Sequence, residues 1–338
     1  MIIGRKIKAF LGALCVCWPL AMQGHEYTVV EDSVENKKLE FGLYTEVNYG
    51  RLAENEPRNL WDFPHAIFDA TAHLGKGWHI NLEFEYERFY ENGEWGNNFN
   101  DNFTANKVYV SKDFKSSFGI KAGIIEVPVG IVNIDGPALT IYDPENESAL
   151  LPMTWHEGGM GIYGDIGKFS YCLAGYVFTA IPAVESKFLG GAFRLDYHPK
   201  EYFRIGVSSY WGTPCKSNAH RADLTYLEHD GLLYGAVDFE YDRNGLIAEG
   251  SLIYNTDHSA RSAGIEVGYD LFQYSSVSLI PFVRYDGVNH MGEGNFNKYT
   301  FGVNFLPMEN LTVKCEYSNR RQQHETFQSF NVGVGIQL

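Results

Sequence analysis

The stretch Trp78–Glu87, WHINLEFEYE, decides the fold class. Trp78, Ile80, Leu82, Phe84 and Tyr86 alternate with His79, Asn81, Glu83, Glu85 and Glu87. Successive side chains of an extended chain point to opposite faces, so this is a strand with one apolar, aromatic face and one charged face. Three carboxylates on one face cannot sit unpaired in a dry core. The charged face is expected to meet water, while the opposite face stays continuously apolar.

The same alternation recurs along the chain. Phe330, Val332, Val334, Ile336 and Leu338 oppose Asn331, Gly333, Gly335 and Gln337. Leu39, Phe41, Leu43, Thr45, Val47 and Tyr49 oppose Glu40, Gly42, Tyr44, Glu46 and Asn48. Repeated segments of this kind predict about sixteen strands, many of about 10–13 residues, near the 9–11 that a tilted strand needs to cross a bilayer. Globular strands usually run to about 5–6 residues. Tight connections such as 75–77, 165–168 and 242–245 alternate with longer ones such as 51–64, 91–102 and 213–229. Short turns on one rim and long loops on the other characterise transmembrane barrels. A soluble β-sandwich or propeller also alternates, but with shorter strands and no such rhythm. The expected fold is all-β: a transmembrane antiparallel barrel whose third long loop, about 127–156, folds into the lumen. That loop is too apolar (Val127, Val129, Ile131, Leu139, Ile141, Leu150, Leu151) to float in solvent.

Composition agrees. The 338 residues are 45% hydrophobic, 15% aromatic and 20% charged, with 35 glycines and a formal net charge of −15. That charge excludes a nucleic-acid partner, because a phosphate backbone would be repelled. Residues 1–24 read as a signal peptide, with Arg5, Lys6 and Lys8 before a short apolar run. Residues 25–37 are expected to be a periplasmic segment and 38–338 the barrel. Beyond the signal, Cys172, Cys215 and Cys315 form no CxxC and no zinc spacing.

Two segments carry a family resemblance. AGIIEVPVGIVN at 122–133 and LPMTWHEGGMGIYG at 151–164 resemble the polyphosphate- and phosphate-selective porins of the O and P type. The matching positions are Val127, Pro128, Gly130, Asn133, Pro152, Thr154, Trp155, Glu157 and Gly161. The resemblance covers roughly forty residues; the remainder of the chain shares only the strand plan. It implies a sixteen-stranded homotrimeric diffusion channel of the bacterial outer membrane, with the motif residues in a structural role. One departure stands out: from Ala122 to Gly167 there is no Lys or Arg. Phosphate-selective relatives carry basic ladders, and anion pores use rings of Arg or Lys whereas cation pores use Asp or Glu.

The expected function is therefore passive diffusion of ions and small hydrophilic solutes, with a weak preference for cations. An anion- or phosphate-selective pore, or a non-conducting structural or adhesive barrel, is the alternative. Asp135, Asp143, Glu145 and Glu147 are expected at the constriction; Glu83, Glu85, Glu87, Lys107, Lys121, Arg194, Arg204 and Arg284 are expected on the lumen wall. The pair His156-Glu157 lacks a second partner for catalysis, so no enzyme is expected. The Glu83, Glu85 and Glu87 carboxylates, about 7 Å apart on one strand, are too spread for calcium. No cofactor or metal is expected; the expected partners are outer-membrane lipid, further copies of the chain and small solutes.

Overall fold

A computed structural model describes residues 38–53, 58–91, 93–96, 103–178, 190–212, 232–256, 259–273, 275–290, 294–323 and 325–338. The expected signal peptide and periplasmic segment lie outside the described residues.

The first strands are β1 (Leu39–Ala53), β2 (Arg58–Gly75), β3 (Trp78–Glu91), a two-residue stub β4 (Glu94–Trp95), β5 (Phe103–Lys115) and β6 (Phe118–Glu126). A long connection holds two one-turn helices, α1 (Val132–Asp135) and α2 (Glu145–Ser148). The chain continues through β7 (His156–Ile166), β8 (Phe169–Phe178), β9 (Gly190–Lys200), β10 (Phe203–Gly212), β11 (Leu232–Arg243) and β12 (Leu246–Asn255). It finishes with β13 (Ala260–Tyr269), β14 (Ser278–His290), β15 (Gly294–Met308), β16 (Leu311–Gln322) and β17 (Glu325–Gln337).

Consecutive wall strands pair antiparallel, with β3 pairing β5 past the stub, and β1 pairs both β2 and β17. The sheet thus closes on itself as a barrel of sixteen strands. Closure leaves no open edge, so every wall strand finds backbone partners on both sides.

The two faces are inverted relative to a soluble globule. On β17, Phe330, Val334 and Ile336 are exposed on the outside while Asn331, Gly333 and Gly335 are buried. On β3, Trp78 lies outside, whereas Asn81 and Glu83 are buried inside. Val207, Val237, Leu252 and Ile265 continue the apolar outer face around β10 to β13. The outer aromatics pack across strands, as Tyr49 does on Trp61 at 4.7 Å between ring centroids.

Turn chemistry fixes the register of the hairpins. Asn244 and Gly245 join β11 to β12 with φ of 52° and 79°, the left-handed pair that a two-residue hairpin turn needs. Gly75, Lys76 and Gly77 all have positive φ between β2 and β3. A Cβ on Gly77 would lie 2.3 Å from the Asp113 carbonyl oxygen.

The first long connection is shorter than the alternation suggests. β1 continues to Ala53 and β2 begins at Arg58, with Arg51 opposite Asn59 and Leu52 opposite Arg58. The ladder is carried past the apolar belt by backbone hydrogen bonds, which leave no trace in the hydrophobic pattern.

The segment 127–155 packs along the inner wall. Ile125, Val127, Val129, Leu150, Leu151, Met153 and Trp155 are buried against Tyr176 of β8, Tyr210 of β10 and Tyr234 of β11. Further along, Ala138 and Leu139 join Ile247, Ile280, Phe282 and Leu306 in a second apolar cluster. The barrel is therefore partly filled by its own connection. Each fully buried Leu or Ile contributes about 1.5–3 kcal/mol to holding it there.

Candidate functional site

The motif residues stitch the two ends of the inward segment together. Asn133 donates from Nδ2 to the carbonyls of Val129 (3.2 Å) and Pro152 (2.8 Å) and accepts the Trp155 backbone N–H at Oδ1 (3.0 Å). The Trp155 indole donates to Glu157 Oε1 at 3.2 Å. The ring packs on Tyr210 and Tyr234, at centroid distances of 4.5 and 5.3 Å. Gly130 has φ of 81°, and a Cβ there would lie 2.5 Å from Glu147 Oε2. Pro128 is buried beside it, and Thr154 takes a positive φ of 52° one residue before Trp155.

From this clasp the segment reaches across the interior. Arg194 of β9 donates to the Gly130 carbonyl at 3.0 Å. The Leu139 and Ile141 backbone N–H groups donate to Glu266 of β13 and Glu316 of β16, both at 3.0 Å. Asn146 is gripped from three strands: it donates to Ser251 Oγ (2.8 Å) and accepts from Arg284 (2.7 Å) and from the Ser262 hydroxyl. Gly264 makes its seat, since a Cβ there would lie 2.3 Å from Asn146 Oδ1.

The four acids expected at the constriction differ in environment. Glu145 accepts from Lys298 at 2.9 Å and pairs with Arg320 at 3.2 Å. Burial works to raise its carboxyl, but those two cations outweigh it and hold it below the ordinary value. Glu147 is 1% exposed and accepts the backbone N–H groups of Ile131 and Val132, capping α1 from below. Burial pushes its carboxyl up. Asp143 is half-buried, and the Asp135 side chain lies outside the described residues. Tyr142, between these acids, has its phenol held far above its usual value by burial and by the carboxylates of Asp62, Glu316, Glu46 and Glu87. The phenol therefore stays neutral.

All the wall bases singled out by the sequence face acids. Lys107 donates to Glu83 at 2.7 Å, and Lys121 pairs with Glu126. Arg194 forks onto Asp238 (2.8 and 3.2 Å) and reaches Asp196; Arg204 bridges Asp196 (2.7 Å), Asp238 (2.6 Å) and Glu240. Gly206 makes room for the two guanidiniums, since a Cβ would lie 2.5 Å from both Arg194 and Asp238. Arg284 donates to Asp286 at 3.0 Å and approaches Glu249 and Glu266, both at 3.6 Å. Glu85 and Glu87 approach His65, at 2.9 and 3.8 Å.

Several interior residues escape a sequence reading. Asp196, Asp286, Asn146 and Arg320 act through partners more than 100 positions away or on neighbouring strands. Parity marks their faces, not their contacts. Nor does parity place Asp62 and His65 together: they differ by an odd number, yet a bulge between them in the pairing with β3 turns both inward.

The segment's hydrogen bonds run to β9, β10 and β12 to β16, it packs on β8 and β11, and Tyr142 reaches toward β1, its phenol oxygen 3.7 Å from where a Cβ on Gly50 would lie. Comparison with solved structures places this architecture. Its fold is that of the porins. OmpF of Salmonella typhi superposes with a TM-score of 0.65 at 12% identity, covering 90% of this chain and 99% of that one. The anion-selective porin from Comamonas acidovorans gives 0.64 at 10% identity, with 89% and 99% covered. OmpT of Vibrio cholerae, in its trimer form, gives 0.59 at 9% identity, again with 89% and 99% covered. At such identities the likeness is one of fold. No family model matches the sequence. An uncharacterized protein of Aquifex aeolicus is 31% identical over 160 residues, 46% of this chain, and the match spans only 35% of that protein's length.

Proposed function

We propose that this chain is a porin of a bacterial outer membrane, passing ions and small hydrophilic solutes by diffusion. One observation carries the reading: a closed sixteen-stranded wall with apolar side chains outside and charged ones inside. In hydrocarbon only a closed barrel or a helix satisfies its backbone, and a barrel of this width encloses more than side chains alone can fill. The passage is assigned to the side of the interior that segment 127–155 leaves to β1, β2, β3, β5 and β6. Assembly as a homotrimer is proposed with it, by analogy with the trimeric OmpT.

Weak cation preference follows from the charges on that side. Glu46, Asp62, Glu85 and Glu87 gather there around one imidazole, and the cations Lys107 and Lys121 are each matched by a carboxylate. Asp or Glu lining draws cations. The phosphate-selective reading rests on the motif at 122–133 and 151–164. It needs uncompensated bases, whereas Arg194 and Arg204 are locked to Asp196 and Asp238.

Planar-bilayer recording of the purified protein tests both levels. Stepwise conductance with a reversal potential modestly favouring K+ over Cl− in a KCl gradient is expected. Absence of conductance steps would overturn the channel, and strong anion selectivity would overturn the cation preference alone.

A further inference from the structure

We propose that His65 is the centre of a binding site for a borderline divalent cation of the zinc class, built into the inner wall at β1, β2 and β3. Three carboxylates converge on one ring nitrogen. Glu46 Oε1 lies 3.0 Å, Asp62 Oδ2 3.3 Å and Glu87 Oε1 3.8 Å from His65 Nδ1. In a tetrahedral zinc site with bonds of about 2.0–2.1 Å, neighbouring donor atoms lie about 3.3–3.4 Å apart. The first two distances lie at or just below that edge length, and Glu46, Asp62 and His65 bring their ligand atoms within 4.8 Å of one another.

The other ring nitrogen is held as a ligating imidazole requires. Nε2 faces Glu85 Oε1 at 2.9 Å, and Glu85 is itself fixed by Asn106 at 2.7 Å. A carboxylate on the far nitrogen sets the tautomer that leaves Nδ1 bare and raises its basicity, the usual outer-shell arrangement of a metal-bound histidine. The carboxylates are oriented as well. Tyr44 donates to Glu46 Oε2, leaving Oε1 for the site, and Asn48 donates to Asp62 Oδ2 at 3.0 Å.

An independent observation points to a missing partner. Asp62 is 2% exposed, and its Oδ1 is buried without a hydrogen bond. An imidazolium would offer a single Nδ1–H to carboxylates at 3.0, 3.3 and 3.8 Å. A single cation held by Glu46, Asp62 and His65 would offset the mutual repulsion of the carboxylates gathered there. One nitrogen with several carboxylate oxygens suits zinc or manganese better than a soft, thiolate-seeking metal. The site depends on the bulge that brings Asp62 and His65 to one face, which Pro64, lacking an N–H for the ladder, favours.

The test is calorimetric titration of tag-free, chelator-washed, detergent-folded full chain with ZnCl2, with folding of each variant verified by its electrophoretic mobility before and after heating. The expected result is one Zn2+ per chain. His65→Gln and Asp62→Asn each weaken binding at least 10-fold. Glu85→Gln, which removes only the outer partner, weakens it by about 10–100-fold. His79→Gln, on the separate His73–His79 contact, leaves it unchanged. X-ray absorption at the zinc edge should show one nitrogen in an otherwise oxygen shell. No stoichiometric binding by the wild type, undiminished binding by folded Asp62→Asn and His65→Gln, or loss on His79→Gln would each overturn the assignment. Binding is read without conductance, so this result and the channel proposal fail independently.

Discussion

Replacing Trp155 tests whether the inward segment is held by its clasp. The side chain is 1% exposed, packs tilted and edge-on against two tyrosines and donates its indole N–H to the buried Glu157. Truncating a buried Trp to Ala costs about 3–5 kcal/mol through lost transfer energy and the cavity left behind. Each aromatic contact within that figure is worth about 0.5–1.5 kcal/mol beyond its area. Trp155→Phe keeps a ring but removes the donor to Glu157, and a deprived buried acceptor costs about 1–3 kcal/mol. Guanidinium unfolding of the detergent-folded protein should therefore rank wild type above Trp155→Phe and Trp155→Phe above Trp155→Ala. Limited proteolysis should find new cuts within 127–155 in the Ala variant while the wall strands remain resistant. A double-mutant cycle of Trp155→Phe with Glu157→Leu, which removes the acceptor, isolates the indole hydrogen bond, with a coupling of about 1 kcal/mol or more expected. Trp155→Ala unfolding within about 1 kcal/mol of wild type, with no new cuts, would refute the claim that this packing fixes the segment.

Gly206→Ala places a methyl between Arg194 and Asp238 and should destabilise the barrel by about 1–3 kcal/mol, read by the same unfolding transition. Val237→Arg puts a charge on the mid-strand outer face; in lipid vesicles it should cost about 2–4 kcal/mol, against little for an exposed turn substitution such as Glu201→Arg. Two acids of the inward segment should respond to pH with opposite sign. Glu145 has a depressed carboxyl, so its contribution is present above the ordinary carboxylate value and is lost as pH falls through it toward the folded value. Glu147 has a raised carboxyl, so its protonated form favours the fold, and that contribution fades as pH rises from the ordinary value through the folded one. Unfolding midpoints across pH 3–8 should show Glu145→Gln flattening the acid-side loss and Glu147→Gln flattening the decline at higher pH; the reverse assignment would count against both.

Alternation, strand length and turn rhythm together made the barrel legible. A period of two with apolar residues on one face and Glu83, Glu85 and Glu87 on the other also suits a soluble sandwich, and it is the strands of bilayer-crossing length and the regular short and long connections that turn the greasy face outward, with closure demanded by hydrocarbon. The motif at 122–133 and 151–164 marked where the wall is interrupted. Which acid meets which base was not in the pattern, because periodicity fixes the face a side chain points to and says nothing of what stands opposite across a barrel. Arg194 finds Asp238, Lys298 finds Glu145 and Arg284 finds Asn146 only once the sheet has closed and the connection has folded in. The cluster at His65 depended still more on tertiary structure. A bulge reverses the parity of β2 at that point, and three neighbouring strands deliver their carboxylates to a single ring nitrogen.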